Sequence, residues 1–141
     1  MKAHPSLKSS FDQRIRFNLI LAHVKKNYGK IVLDVGCGPG ILGKMIEREG
    51  RKVIYLSPNV SDFEYIKVGV FVAGDGTQLP FKDKAFDFVL SSDVLEHVPK
   101  YKRAAFINEM MRTAKKKAIF TFSQVHPKNP LKSGIRIFEH F

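Results

Sequence analysis

The chain has 141 residues, 44% hydrophobic and 26% charged, the make-up of one globular domain, which excludes a largely disordered chain. No apolar run approaches the ~18 residues of a membrane helix, the N-terminus lacks a signal-peptide core, and the lone cysteine, Cys37, excludes an internal disulfide, so a cytoplasmic protein is expected. The formal net charge of +11 favours nucleic acid, anionic lipid or acidic metabolites as neighbours, although basic residues scattered without a long run also serve plain solubility.

Residues 1–9 read as a loose arm. Ser10 and Gln13 have the form of a capping box, predicting a helix over 10–29 that stops at Gly29. Phe11, Ile15, Leu19 and Ala22 share one face of it at steps of four, four and three. The period then changes. Lys30–Val35 is a short, nearly continuous β-branched run, as a strand buried on both faces requires. Glycines follow at 36, 38, 40 and 43, and Ile41–Glu49 reads as a helix. Further strands are predicted at Lys52–Leu56, Val70–Ala73, Phe86–Leu90 and Ala118–Phe122, with a helix around Lys102–Ala114. Residues 57–69 are short for a full crossover and predict a short or irregular helix. Strands alternating with helices imply parallel crossovers, hence an open α/β sheet covered on both faces. Phe106, Ile107, Met110 and Met111 fall at helical spacing and read as core. Lys115–Lys117 read as a solvated helix end, or as a phosphate contact.

The segment richest in chemistry is Leu33-Asp34-Val35-Gly36-Cys37-Gly38-Pro39-Gly40. A strand ends there in a glycine-rich turn that opens a helix, so a ligand can approach bare main chain. Asp34 stands where a carboxylate can accept hydrogen bonds from a ligand ammonium. Gly38-x-Gly40-x-x-Gly43 formally satisfies a dinucleotide fingerprint, but there the first glycine directly follows the strand, and here that residue is Gly36. Asp34 would also repel a pyrophosphate, so nucleotide phosphate binding ranks second. No His, Cys and carboxylate set has metal-ligand spacing.

Asp34–Gly40 resembles motif I of the class I S-adenosylmethionine-dependent methyltransferases. Gly74-Asp75-Gly76-Thr77-Gln78-Leu79-Pro80-Phe81 resembles their segment after strand 3, and Phe86–Pro99 resembles strand 4 and its turn in the small-molecule, type 11-like branch. The three lie in register over roughly residues 11–125. The resemblance implies a Rossmann-like three-layer α/β sandwich with a mostly parallel sheet in the order 3-2-1-4-5. It implies S-adenosyl-L-methionine as cofactor, with Asp34 near its ammonium and Gly36, Cys37, Gly38 and Gly40 around its methionine part. Asp75 and Gly76 would meet the adenine, and Ser91 and Ser92 would close the site beside the sulfonium. The family's acidic residue at the end of strand 2, which grips the ribose, falls on Ser57, with Asp62 or Glu64 available to fold back in its place.

Several residues carry two readings. Asp75 either contacts adenine or holds a turn. Asp93 with Glu96 has capping-box form. His97 is either a catalytic base or a turn former before Pro99. Cys37 faces a helix N-terminus, which would lower its pKa. The family's final antiparallel hairpin is expected to be missing, leaving residues 10–29 as an N-terminal helix, 30–125 as the cofactor-binding core and 126–141 as an incomplete C-terminal segment. Such a truncated domain would expose the fifth strand as an edge open to a homodimer. The activity implied is methyl transfer to a small-molecule or lipid-like acceptor. An RNA-directed methyltransferase using the basic surface and a non-catalytic binding domain are the alternatives.

Overall fold

The computed structural model describes residues 11–123 and 133–139. Helix α1 (Phe11–Lys26) leads into β1 (Ile31–Val35), α2 (Ile41–Glu47) and β2 (Lys52–Ser57). A 3-10 turn over Val60–Tyr65 precedes β3 (Val70–Ala73), as the short 57–69 connection foretells. There follow β4 (Phe86–Ser92), α3 (Arg103–Thr113), β5 (Ala114–Ser123) and β6 (Ser133–Glu139). The loose arm at 1–9 and the Ser10 cap lie outside the described residues.

The strands form one sheet in the order β3-β2-β1-β4-β5-β6. The first five are parallel, and β1 takes the centre between β2 and β4. Alternate residues of the central strands feed two cores. Val32, Val53, Tyr55, Phe88 and Leu90 pack under α1 and α2. Leu33, Val35, Leu56, Val89 and Phe120 pack under Phe106 and Met110 of α3. Strands buried on both faces explain why their sequences read as continuous apolar runs. The two connections that matter for the site are held by polar clamps. Asp87 accepts from the Lys30 and Ile31 amides at 2.8 and 3.1 Å and fixes the start of β1. Arg112 donates to Glu109, to Asp83 and to the carbonyls of Leu79 and Phe81, tying α3 to the loop after β3.

Three expectations are corrected. An antiparallel partner of β5 is present: β6 pairs with Lys117–Ser123, Ile119 facing Ile137, and Phe138 stacks on Phe120 at 5.5 Å. Alternating β-branched residues at 135 and 137 suit such a strand. β5 is therefore no open edge, and a homodimer through it has no unpaired backbone to use. The second correction concerns α1, whose buried face is Arg16, Phe17, Ile20 and Val24, while Phe11, Ile15 and Leu19 lie exposed. The helix is apolar on two sides, and the side that also carries Arg16 wins because Asp93, just after β4, supplies a carboxylate for it. Burying Ile20 and Val24 contributes about 1.5–3 kcal/mol each. Third, Lys115–Lys117 stand on β5 and do not end a helix. Ala114 turns extended and pairs with Phe86, so α3 runs straight into the strand.

Candidate cofactor site at the strand ends

Two adjoining cavities, of about 280 and 270 Å³, open at the C-terminal ends of β1, β2 and β4, and both are lined by Gly36, Val94 and His97. Strand C-termini are where open α/β sheets receive ligands.

Asp34 belongs to the first cavity. The central register of β1 sets it between Tyr55 and Leu90, and only 2% of it is exposed. Its Oδ2 makes no hydrogen bond, and burial pushes the carboxyl up to about 7. An acid so placed is costly to ionise until a cation arrives. Gly36 makes the turn above it with φ +73°, and a Cβ there would lie 2.5 Å from Cγ2 of Val94. Cys37, Gly38, Ser92 and Asp93 complete the wall, with Gln13 and Phe17 of α1 closing the side.

The remaining glycines of the turn serve packing. Gly40 caps α2 in the left-handed region, and a Cβ on it would lie 2.6 Å from Ile66. A Cβ on Gly43 would lie 2.2 Å from the fully buried Tyr55 ring. The formal dinucleotide spacing is thus a packing coincidence, and Gly40, expected at the cofactor, lines neither cavity.

The second cavity is lined by Leu56, Pro58, Asp75, Gly76, Thr77 and Phe106 among others. Oδ1 of Asp75 accepts from the backbone and hydroxyl of Thr77, both at 2.8 Å, and those bonds hold its carboxyl below the usual range. Asp75 therefore holds its turn, and it also edges the cavity. Gly76 lets the Phe106 ring close in, since a Cβ would meet it at 2.4 Å.

Other expected residues fall elsewhere. Ser57 is buried behind the sheet end and donates to Asp62 Oδ2 at 2.7 Å, so it lines neither cavity. The alternation of β2 turns Leu56 toward the cavity and Ser57 away. Asp62 does fold back onto Ser57, but it too lines neither cavity. Ser91 is buried and lines neither, whereas Ser92 lines the first and its hydroxyl is hydrogen-bonded with that of Thr121 at 3.0 Å. Asp93 is no helix cap: with φ +59° it turns its carboxylate to Arg16, which approaches at 2.7 and 2.8 Å. The 3-10 turn Leu95–His97 starts without any side-chain cap. Cys37 shows the reverse of the expected activation. Burial, with Asp34 and Asp62 nearby, pushes its thiol up, leaving it inert. His97 stands exposed where both cavities meet, on a turn fixed by Arg103 donating to Val98 O and Glu96 O.

Sequence reasoning overlooked Arg16, Phe17, Val94, Leu56 and Phe106. Only Arg16 left a signal, a cation on the same helical face as Phe17, Ile20 and Val24. Among the described residues no group of three or more His, Cys, Asp or Glu side chains is placed to hold a metal ion. The arrangement suits an elongated ligand carrying an ammonium at one end and a flat, mostly apolar ring at the other.

Residues 33–122 match the family described as Methyltransferase domain, of the type 11 branch, which is more than half of the chain. The chain belongs to this methyltransferase family. An uncharacterized methyltransferase of Mycobacterium sp. (strain KMS) is 37% identical over 91 residues, covering 62% of this chain and 35% of the relative. The chain thus spans about a third of the length of the curated relatives it matches. Among solved structures, a Pyrococcus horikoshii OT3 protein superposes with a TM-score of 0.75 at 26% identity, over 86% of this chain and 62% of that one. Magnesium protoporphyrin IX methyltransferase from Synechocystis PCC 6803, solved with bound S-adenosylmethionine, superposes with a TM-score of 0.65 at 25% identity, over 91% of this chain and 62% of that one. The methyltransferase domain family accordingly accounts for both the sheet order and the cavity at its C-terminal end.

Proposed function

We propose that this methyltransferase domain binds S-adenosyl-L-methionine across its two cavities and directs the methyl group to a small-molecule or lipid-like acceptor. The observation that carries the reading is Asp34: a buried carboxyl with one unbonded oxygen, beside a glycine turn, at the floor of a ligand-sized cleft. Such a group makes sense when a ligand ammonium completes it.

When bound, the cofactor supplies a sulfonium-activated methyl group. Everything else falls to the chain. Asp34 accepts hydrogen bonds from the ligand ammonium and, ionised, balances its charge. Gly36 and Gly38 put bare main chain into the wall of the first cavity. Leu56, Val94 and Phe106 exclude water from the second, while Asp75, on its rim, supplies the acceptor for an adenine amino group. Phe17 and Gln13 hold α1 as the wall where an acceptor enters. Methyl transfer needs orientation and dryness above all. His97, at the junction of the cavities, is the side chain placed to take a proton from the attacking atom.

Calorimetric titration with S-adenosylhomocysteine tests the reading. Micromolar binding by the wild type and its loss in Asp34→Ala are expected. No heat at about 1 mM ligand, or equal affinity of the variant, would overturn it.

A further inference from the structure

We propose that the outward face of α1 docks the protein on an anionic lipid surface. The helix is apolar on two opposite sides. One side is the core face already described. The other is the row Phe11, Ile15, Leu19 and Ala22, of which Phe11 is 79%, Ile15 44% and Leu19 43% exposed, and no part of the described fold covers it. A second apolar side on a helix calls for a second burial partner. This one receives it on one side only.

The charge around that row names the occupant. Arg14, Lys25 and Lys26 flank it and are exposed. The helix carries four Lys and Arg residues against the single acid Asp12. Lys25 also reaches Glu49 at 3.3 Å on the protein surface, a half-exposed pair that headgroup phosphates can replace. An apolar stripe bordered by cations is the pattern of a helix lying in a bilayer interface. A second copy of the chain would bring the same cations against themselves, with +11 on each partner. RNA would engage the cations and leave the apolar row in water. An anionic bilayer satisfies both.

The position of the face adds a consequence. Gln13 and Phe17, on the opposite side of the N-terminal half of α1, wall the first cavity. Docking through Phe11 and Ile15 would hold the cavity mouth close to the headgroups, where an amphipathic acceptor is concentrated. The docking itself does not depend on the cofactor reading, and the two are tested by separate readouts.

The experiment is flotation of the full chain with phosphatidylcholine vesicles that contain or lack about 30% phosphatidylserine. Binding to the anionic vesicles alone is expected, weakening as salt rises from about 0.05 to 0.5 M. Ile15→Glu/Leu19→Glu should lower partitioning at least about tenfold, with circular dichroism and S-adenosylhomocysteine affinity unchanged. Lys25→Glu/Lys26→Glu leaves the apolar row intact and should also bind about tenfold more weakly, which guards against misfolding of the first pair. The proposal is overturned if the folded wild type ignores anionic vesicles at low salt, or if both variants bind as well as it does. It is equally overturned if Ile15→Glu/Leu19→Glu disperses a dimer, or abolishes RNA retention, in a protein that binds no vesicles.

Discussion

Replacing Asp34 by Asn separates the cost of the site from its use. Burial raises the folded-state pKa of this carboxyl from 3.8 to about 7. Between those values the native protein keeps a proton that the unfolded chain has released. Stability therefore falls as pH rises through the window and levels off above about 7. Three units at about 1.4 kcal/mol each put the full cost of ionising Asp34 near 4 kcal/mol. Asn keeps the shape and stays neutral but remains a buried polar group, so about half of that, ~2 kcal/mol, is recovered at pH 8. In a chain of 141 residues this is a rise in Tm of about 5–10 °C. At pH 5, where Asp34 is protonated in the fold, the two proteins should differ by less than about 1 kcal/mol. Thermal unfolding by circular dichroism across pH 5–8 reads this directly. S-adenosylhomocysteine should raise the wild-type Tm and leave that of Asp34→Asn unmoved. A variant less stable than wild type at pH 8, or one with the same slope against pH, would refute the assignment of a buried, unpartnered acid.

Four other outcomes follow from the same geometry. Gly36→Ala forces a Cβ against Val94 at a left-handed residue, so cofactor affinity should drop about tenfold or more by calorimetry. Gly43→Ala strikes the Tyr55 ring instead, and should lower stability by about 1–3 kcal/mol in urea melts while affinity stays within about threefold. Arg16→Ala leaves the Asp93 carboxylate without its partner at the cavity wall, and a loss of about 3 kcal/mol is expected by chemical denaturation. His97→Gln should slow methyl transfer about 100-fold in single-turnover assays, with S-adenosylhomocysteine affinity unaltered.

The sheet was legible because its central strands are buried on both faces and announce themselves as apolar runs, and because the glycine turn after Asp34 is a local device. Phe106 and Met110 fell where helical spacing put them. What escaped depended on choices between equivalent local signals. Periodicity found an apolar face on α1, but the helix has two, and only tertiary packing on β4 decides that Phe17, Ile20 and Val24 go inward. Ser57 was misassigned for a related reason. In a strand, a shift of one residue exchanges the faces, so Leu56 meets the cavity and Ser57 meets Asp62. The Asp93–Arg16 pair spans 77 positions, and the spacing of Asp93 and Glu96 alone imitated a cap. β6 was missed because a strand after residue 125 pairs antiparallel with β5, outside the alternating pattern of the core.

The Arg16–Asp93 pair also explains how a loosely predicted helix becomes part of the site. Asp93 directly follows β4 with φ +59°, a conformation that costs a non-glycine residue roughly 1 kcal/mol. Its amide donates to Thr121 O of β5, and its carboxylate is bound from two sides, by the Arg16 guanidinium and, at 3.3 Å, by the Thr121 hydroxyl. The turn that carries Val94 and His97 is thus fastened to β5 and α1 at once. Gln13 and Phe17, one turn or less from Arg16 on α1, face the first cavity only while that fastening holds. Losing the pair therefore frees two walls together: the α1 side, and the turn whose Val94 packs over Gly36. It follows that Arg16→Lys, which preserves the charge but not the planar fork, should retain most of the stability and still weaken cofactor binding by about threefold to tenfold. Parallel denaturation and calorimetry on that one variant measure the two effects. A loss of stability matching that of Arg16→Ala, with wild-type affinity, would mean that the pair holds the fold and has no part in shaping the cleft.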